Sequence, residues 1–144
     1  MKTMNVLLVE DDADQRFFIS TALSEVEGIE IRVAVVEDGQ QALDYLHRRG
    51  AHRDADRPDL VLLDLKMPRR TGFEVLEEVR SHPELRTIPV SVLSSSERLE
   101  DVEESYRRGT NAYMRKRGFG EMARDLQAAM RFWACVASLP GRPA

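Results

Sequence analysis

The stretch NVLLVEDDADQRFF, residues 5–18, decides the fold of this chain. An apolar run, residues 6–9, leads directly into three carboxylates, Glu10, Asp11 and Asp12. A short unbroken run of Val and Leu is typical of a strand that is buried on both faces. Carboxylates this close repel one another unless a cation or hydrogen-bond donors offset their charge. The stretch therefore predicts a buried strand that ends at a site where a cation or hydrogen-bond donors offset the negative charge.

The same kind of apolar run recurs along the chain and alternates with polar segments of helical periodicity. The further predicted strands are IEIRVAVV (29–36), DLVLLD (59–64), IPVSVLS (88–94) and the weaker NAYMRK (111–116). Stripes at spacings of three and four predict apolar helix faces. These stripes are Ile19, Ala22, Leu23 and Val26 in the first helix, Val75, Leu76 and Val79 in the third, and Met122, Leu126, Ala129, Trp133 and Val136 in the last.

Helix boundaries are marked by capping residues. Asp38 with Gln41, and Thr71 with Glu74, have the spacing of capping boxes. Gly109 follows two arginines and is typical of a helix C-cap.

Strand and helix alternate five times, which predicts an α/β fold with helices on both faces of a parallel sheet. Right-handed crossovers favour a doubly wound five-stranded sheet of flavodoxin-like strand order 2-1-3-4-5. We expect one domain over residues 1–138 and a flexible C-terminal tail over residues 139–144.

Composition sets limits on the class of protein. The chain has 144 residues, 42% hydrophobic and 32% charged, as in a soluble globular domain. A net charge of −4 disfavours nucleic acid as a direct partner. We find no signal peptide and no apolar segment long enough for a membrane span, so a cytoplasmic location is expected. The single cysteine, Cys135, excludes an intramolecular disulfide.

Acidic side chains are predicted to meet at one edge of the sheet. Asp64 ends the third strand, which neighbours the first in the predicted order, about 4.8 Å away. Glu10, Asp11 and Asp64 would then face one crevice, and oxygen ligands of this kind suit Mg²⁺. Acidic residues after a strand are equally typical of a helix N-terminus, the interpretation favoured for Asp12 and Asp14.

Two other strand ends bring a hydroxyl and an ammonium to the same edge. Ser94 ends the fourth strand and Lys116 follows the fifth. Individually, such residues are common in turns and on solvated surfaces. Together with Asp64 they are typical of a site that receives a phosphoryl group.

The motifs LLVEDD, DLVLLDLKMPRRTGFEVL, IPVSVLSSS and GTNAYMRK resemble the receiver domain of two-component response regulators, over nearly the whole chain. The resemblance implies a CheY-like phosphorylation switch that is not an enzyme. The implied roles are phosphoacceptor for Asp64, Mg²⁺ (or Mn²⁺) ligands for Glu10, Asp11, Asp64 and the Lys66 carbonyl, phosphoryl binding for Ser94 and Lys116, switching for Ser94 and Tyr113, and tuning of phosphoryl lifetime for Lys66 and Ser96.

One position departs from the family pattern. Receivers usually have a proline in a cis bond after the lysine, whereas Arg117 follows Lys116 here. A cis bond before a residue other than proline costs about 3 kcal/mol, so we expect a trans bond.

The insertion before the third strand, the missing proline and the ending FWACVASLP resemble single-domain regulators of phytochrome-type histidine kinases. The resemblance implies a sensor histidine kinase partner, of the bacteriophytochrome type, and a homodimer through the fourth helix, fifth strand and fifth helix (α4-β5-α5). The expected contact residues are Gln15, Phe18 and Ile19 for the kinase and Phe132 and Trp133 for a second surface.

Other functions remain open. The protein could act as a phosphate sink or as a phosphorelay intermediate. An aspartyl-phosphate hydrolase is disfavoured, because such enzymes place a second aspartate where this chain has Lys66. A flavin or nucleotide carrier is disfavoured as well, because EDDADQ has the wrong charge for a phosphate loop. A receiver-like adaptor that is never phosphorylated is disfavoured by the intact Asp64, acidic pair and Lys116.

Overall fold

The computed structural model describes residues 2–141. Its strands are β1 (Lys2–Val9), β2 (Ile29–Val36), β3 (Leu60–Leu63), β4 (Val90–Ser94) and β5 (Ala112–Arg115). Its helices are α1 (Ala13–Ser24), α2 (Gly39–Leu46), α3 (Gly72–Ser81), α4 (Leu99–Arg107) and α5 (Phe119–Arg131). A 3₁₀ turn (Gly50–His52) and a π-helical turn (Phe132–Val136) complete the elements.

All five strands pair in parallel in the order β2-β1-β3-β4-β5, which confirms the predicted sheet. Val9 at the end of β1 pairs with Val36 on one side and Leu63 on the other. Because parallel strands end at a common edge, residues that follow Val9 and Leu63 become neighbours. This register positions the acidic residues named above.

Alternate residues of β1 enter two separate core layers. Leu7 and Val9 pack with α2 and α3, whereas Val6 and Leu8 pack with α1 and α5. All four side chains are at most 1% exposed, and each contributes roughly 1.5–3 kcal/mol of burial free energy. The strand is thus apolar on both faces because helices cover both faces.

The predicted stripe of the last helix is wrong at its end. Met122 and Leu126 are buried as expected, but Val136 is 73% exposed and Met130 takes the next core position. The helix changes to a π-helical turn after Arg131. A π turn has more residues than an α turn, so it rotates later side chains out of phase with the stripe.

The predicted caps form with one difference. Thr71 and Glu74 make a reciprocal capping box at the start of α3. Asp38 accepts a hydrogen bond from the amide of Gln41, but the Gln41 side chain accepts from the amide of Glu37, one residue earlier than in a capping box. Gly109 follows α4 with a φ of +107°, a conformation that glycine adopts readily.

The predicted domain boundary at residue 138 remains a prediction. Leu139 lies beyond it and still packs against the α1–α5 core layer. Residues 142–144 of the predicted tail lie outside the described residues. Within residues 2–141, no helix combines the length and the apolar content needed to cross a bilayer.

Candidate functional site

Three carboxylates meet at the edge of the sheet where β1 and β3 end. Glu10, Asp11 and Asp64 each offer an oxygen, and these oxygens lie within 4.8 Å of one another. Glu10 is 2% and Asp64 9% exposed, whereas Asp11 is open to solvent. The structure therefore brings together the acidic residues that the sequence placed at this edge, and it leaves one side accessible.

Backbone hydrogen bonds hold the two buried carboxylates in place. The amide of Glu10 donates to Val36 (3.1 Å) and the amide of Asp64 donates to Val9 (3.1 Å), so both residues continue the sheet pairing. Asp12 instead caps α1 by accepting from the Gln15 amide (3.0 Å). This capping role agrees with the sequence interpretation of Asp12.

Lys116 joins the cluster from β5. Its amide donates to the Ser94 carbonyl (2.8 Å), which continues the pairing of β4 and β5 beyond their ends. Its ammonium donates to Glu10 Oε1 at 2.5 Å and lies 3.8 Å from Asp64 Oδ2. One cation thus faces three carboxylates, and the pocket keeps an excess of negative charge.

Burial raises the pKa of the Asp64 carboxyl from 3.8 to about 7. The Lys116 ammonium lowers this pKa, as does a backbone hydrogen bond at Lys66, while the charges of Glu10 and Asp11 raise it further. Burial therefore makes ionisation of Asp64 costly when no further cation is present.

A glycine makes room for the Asp64 backbone. A Cβ added at Gly72 would lie 2.3 Å from the Asp64 carbonyl oxygen. The Gly72 amide also donates to the Leu65 carbonyl (2.9 Å). The first turn of α3 can therefore pack directly against the loop after β3.

The hydroxyl residues at the end of β4 and in the loop after it have different surroundings. Ser94 is 2% exposed, and its Oγ accepts from the Ser96 amide (3.1 Å). Ser96 turns towards α4, where its Oγ donates to Asp101 Oδ2 (2.5 Å). Tyr113 donates its hydroxyl to the Ser96 carbonyl (3.0 Å), so the strand aromatic and this loop are coupled. The loop brace at Asp101 was not predicted from the sequence.

Lys66 lies two residues after Asp64, in the loop that follows β3, and it is exposed. A hydrogen bond between the Lys66 backbone and the Asp64 carboxylate lowers the pKa of Asp64. The role of Lys66 in tuning phosphoryl lifetime stays a prediction.

The candidate docking residues on α1 need one correction. Ile19 is 0% exposed and belongs to the core, because it lies on the inward stripe of the helix. Gln15 and Phe18 are partly exposed, and Phe18 contacts Phe119 with ring centroids 4.7 Å apart. Phe17, which sequence reasoning missed, is 76% exposed. Two consecutive phenylalanines on a helix cannot both face the core, and that signal was available.

The aromatic pair after α5 divides between core and solvent, and the predicted contact role of Phe132 and Trp133 stays a prediction. Trp133 packs against the α1–α5 core layer, whereas Phe132 is 49% exposed. Their rings meet edge to face at 5.2 Å.

The Lys116–Arg117 bond is trans, as predicted, since residues 2–141 contain no cis peptide bond. Arg117 turns away from the pocket and pairs with Asp125 (2.8 Å) and Glu121 (3.0 Å) on α5. The residue that replaces the usual proline is thus tied to the last helix, a contact that the sequence did not predict.

The donor set of the pocket fits a hard divalent cation. Its side chains offer only carboxylate oxygens, one of which is open to solvent, and the charge of Lys116 does not balance them. Mg²⁺ binds through one or two carboxylates and keeps several waters, which such a half-open pocket permits.

The fold and the site define a doubly wound α/β domain with an acidic cation pocket where the winding reverses. The chain belongs to the response regulator receiver domain family, whose model matches residues 6–129. The resemblance inferred from the sequence is thereby confirmed.

Within this family, the chain is similar to response regulators that act with phytochromes. Response regulator Rcp1 of Synechocystis sp. is 34% identical over 94% of this chain and 92% of its own length. The structure of the phosphorylated cyanobacterial phytochrome response regulator RcpA has a TM-score of 0.92 and 36% identity, covering 96% of this chain and 99% of RcpA. The structure of the Mn²⁺-bound form of Rcp1 has a TM-score of 0.89 and 32% identity, covering 96% of this chain and 99% of Rcp1. This chain is similar to phytochrome response regulators over nearly its whole length.

Proposed function

We propose that this receiver accepts a phosphoryl group on Asp64 from the phosphohistidine of a sensor kinase and thereby changes a protein-binding surface. The observation that supports this most is the position of Asp64. Its carboxylate is buried with Glu10 and Asp11 within 4.8 Å, and the Lys116 ammonium is 3.8 Å away. A nucleophilic oxygen and a neutralising cation are thus assembled in one half-open pocket.

The reaction transfers phosphorus between two nucleophiles. An Asp64 oxygen attacks phosphorus, the bond from phosphorus to the histidine nitrogen breaks, and that nitrogen keeps the electron pair. Glu10, Asp11, Asp64 and the Lys66 carbonyl would hold Mg²⁺ or Mn²⁺. When bound, the ion neutralises negative charge on the phosphoryl oxygens.

Two further residues would hold the new phosphoryl group. Lys116 is positioned to pair with one of its oxygens, and Ser94 to donate its hydroxyl to another. When the Ser94 hydroxyl moves, the loop that includes Ser96 moves with it, because the Ser96 amide donates to Ser94 Oγ. Tyr113 is bonded to the Ser96 carbonyl and so transmits the change to β5.

The partner proposed is a sensor histidine kinase of the phytochrome type. RcpA is a phytochrome response regulator and RtBRR a bacteriophytochrome response regulator, and this chain is similar to both. Such a kinase acts with ATP, which places the proposed reaction in the cytoplasm. The chain itself acts as an acceptor rather than an enzyme with its own external substrate. Gln15 and Phe18 on α1, with exposed Phe17, form the proposed kinase contact.

The output proposed is pairing with a second copy through α4, β5 and α5. Leu99 and Tyr106 of α4 are exposed, and so is Phe132, which follows α5. Tyr113 and the Ser96–Asp101 hydrogen bond link the pocket to this face.

Intact mass after incubation with acetyl phosphate and Mg²⁺ tests the proposal. We expect a gain of one phosphoryl group that is absent in Asp64→Asn and abolished by chelator. Asp54→Asn, at an exposed aspartate in the loop before β3, should gain the group as the wild type does. A phosphoryl gain in Asp64→Asn equal to that of the wild type would contradict the assignment.

A further inference from the structure

Three potential metal ligands meet at the C-terminal ends of α2 and α3. His47 Nε2 lies 2.9 Å from Glu78 Oε2, and the His47 and His82 rings contact edge to face with centroids 4.6 Å apart. One ligand atom from each residue lies within 4.8 Å of the other two. We propose that His47, Glu78 and His82 form a second metal site, which binds a borderline transition ion such as Zn²⁺.

The site lies far from the phosphorylation pocket. Gly72 begins α3 against the Asp64 backbone, whereas Glu78 and His82 lie at the other end of the helix. A helix of 10 residues is about 15 Å long. The two sites are therefore at opposite ends of α3, and only the second includes imidazole nitrogens.

The ligand chemistry favours Zn²⁺ over Mg²⁺. Imidazole nitrogen suits zinc, and two histidines with one carboxylate leave a fourth position for water. Glu78 lies near the end of α3 and His82 is its C-cap, so the end of the helix brings these two side chains together. Ligand atoms of a tetrahedral zinc are roughly 3.4 Å apart, so the three side chains need only small rotations from their present separation. All three are partly exposed and have room to make them.

One feature of the surroundings favours a cation. The last turns of α2 and α3 both end beside the cluster, and the carbonyl ends of helices attract positive charge. Glu74 and Glu77 also line the groove beside Glu78 and His82, but each is paired with an arginine, Glu74 with Arg70 (3.5 Å) and Glu77 with Arg108 (3.3 Å).

Arg70 helps to orient the carboxylate. Its Nη2 donates to Glu78 Oε1 (3.2 Å), which leaves Oε2 directed at His47. A second hydrogen bond to the far oxygen of a metal-binding carboxylate is a common means of fixing its geometry. The His47–Glu78 pair would open to admit the ion between them.

Calorimetric titration of Zn²⁺ into untagged protein tests this site. The titration is done in excess Mg²⁺, which fills the Asp64 pocket, and in a Cys135→Ser background, which removes the exposed thiol. We expect one zinc per chain. We expect His82→Gln and His47→Gln each to weaken binding at least about ten-fold, and Glu78→Gln to weaken it less.

His52→Gln is the matched control, because His52 is the third histidine and stacks on Tyr45 at 5.4 Å instead of joining the cluster. It should bind zinc as the wild type does, and so should Asp64→Asn. Circular dichroism in chelator checks that each variant folds. Equal zinc affinity in His82→Gln, Glu78→Gln and the wild type would overturn the proposal. Loss of zinc binding in Asp64→Asn alone would also overturn it, by assigning the ion to the acidic pocket.

Discussion

Lys116 lies closer to Glu10 than to Asp64: its ammonium is 2.5 Å from Glu10 Oε1 and 3.8 Å from Asp64 Oδ2. Both partners of the short pair are almost fully buried. The same Glu10 carboxylate is a proposed metal ligand. An incoming cation and the Lys116 ammonium therefore compete for Glu10, and an ion that binds there would leave Lys116 free to meet a phosphoryl group on Asp64.

Lys116→Met should increase Mg²⁺ affinity. Removing the ammonium takes away a repelling charge and a competitor for Glu10, and we expect binding to be about ten-fold tighter. Calorimetric titration at neutral pH measures this affinity. Arg115→Met is the matched control, because it removes an equal charge from an exposed side chain on β5. Equal gains in both variants would show a general charge effect and would contradict the competition.

Asp64→Asn should stabilise the metal-free protein at high pH. The pKa of Asp64 is raised to about 7, so the folded state favours the protonated carboxyl. Stability from this group is fully present below its ordinary pKa of 3.8 and is lost as the pH rises through about 7. Asparagine does not ionise, and we expect its advantage over wild type to reach on the order of 2 kcal/mol above pH 7.

Urea unfolding in chelator across the pH range measures that difference. The advantage of Asp64→Asn should shrink as the pH falls below about 7 and vanish below 3.8, where the carboxyl is protonated in the unfolded chain as well. Asp54→Asn, at an exposed aspartate, should follow the wild-type curve. A difference between Asp64→Asn and wild type that is independent of pH would contradict the role of ionisation.

Gly72→Ala should destabilise the fold by about 2–4 kcal/mol, because its Cβ would collide with backbone. The nearest atom, the Asp64 carbonyl oxygen, would be 2.3 Å away and cannot rotate aside. Gly120→Ala is the opposite case: that glycine is exposed in α5 with no closer neighbour than Arg124 Nη1 at 4.0 Å. Alanine there should stabilise by about 0.5–1 kcal/mol through helix propensity. Thermal and urea unfolding measure both changes in the free energy of unfolding. An unchanged stability in Gly72→Ala would refute the close approach.

Lys66→Ala should change the rate at which phosphorylated protein loses its phosphoryl group. The side chain is exposed beside the loop that follows Asp64, where an ammonium can pair with the phosphoryl oxygens or with Glu10. Loss of phosphoprotein after removal of the phosphodonor measures the rate. Lys66→Arg keeps the charge and should stay closer to wild type. An unchanged rate in Lys66→Ala would remove Lys66 from the mechanism.

Phe132→Ala should weaken self-association of the phosphorylated protein. Phe132 is 49% exposed and lies directly after α5, at the proposed dimer face. Light scattering over a concentration series compares the molar masses of variant and wild type. Phe17→Ala, at the more exposed phenylalanine on α1, is the control and should associate as wild type does. Monomers in every case would rule out the dimer.

Local pattern was sufficient to predict the fold. Five apolar runs alternating with helical stripes determine a parallel doubly wound sheet, because strands without polar alternation must be covered on both faces. The predicted order of the strands then places Glu10, Asp64, Ser94 and Lys116 at one edge, since parallel strands end together. These inferences depend only on which residues follow a strand, which is a property of sequence.

Helical phase and pairing between distant side chains were decided by tertiary structure. The sequence spacing places Val136 on the apolar stripe of α5, but the π-helical turn rotates it into solvent. Ile19 lies on the apolar stripe that the sequence predicts for the first helix, so its burial was predictable and its assignment to the kinase contact was wrong.

The sequence by itself determined the order of the elements and the edge at which the site lies, because apolar periodicity records which face of each element avoids water. Tertiary structure alone decided that Lys116 donates to Glu10, that Ser96 donates to Asp101, and that His47 lies beside Glu78 and His82. Periodicity holds no information about contacts between side chains on different elements. Those contacts depend on how far each helix is rotated and shifted against its neighbours.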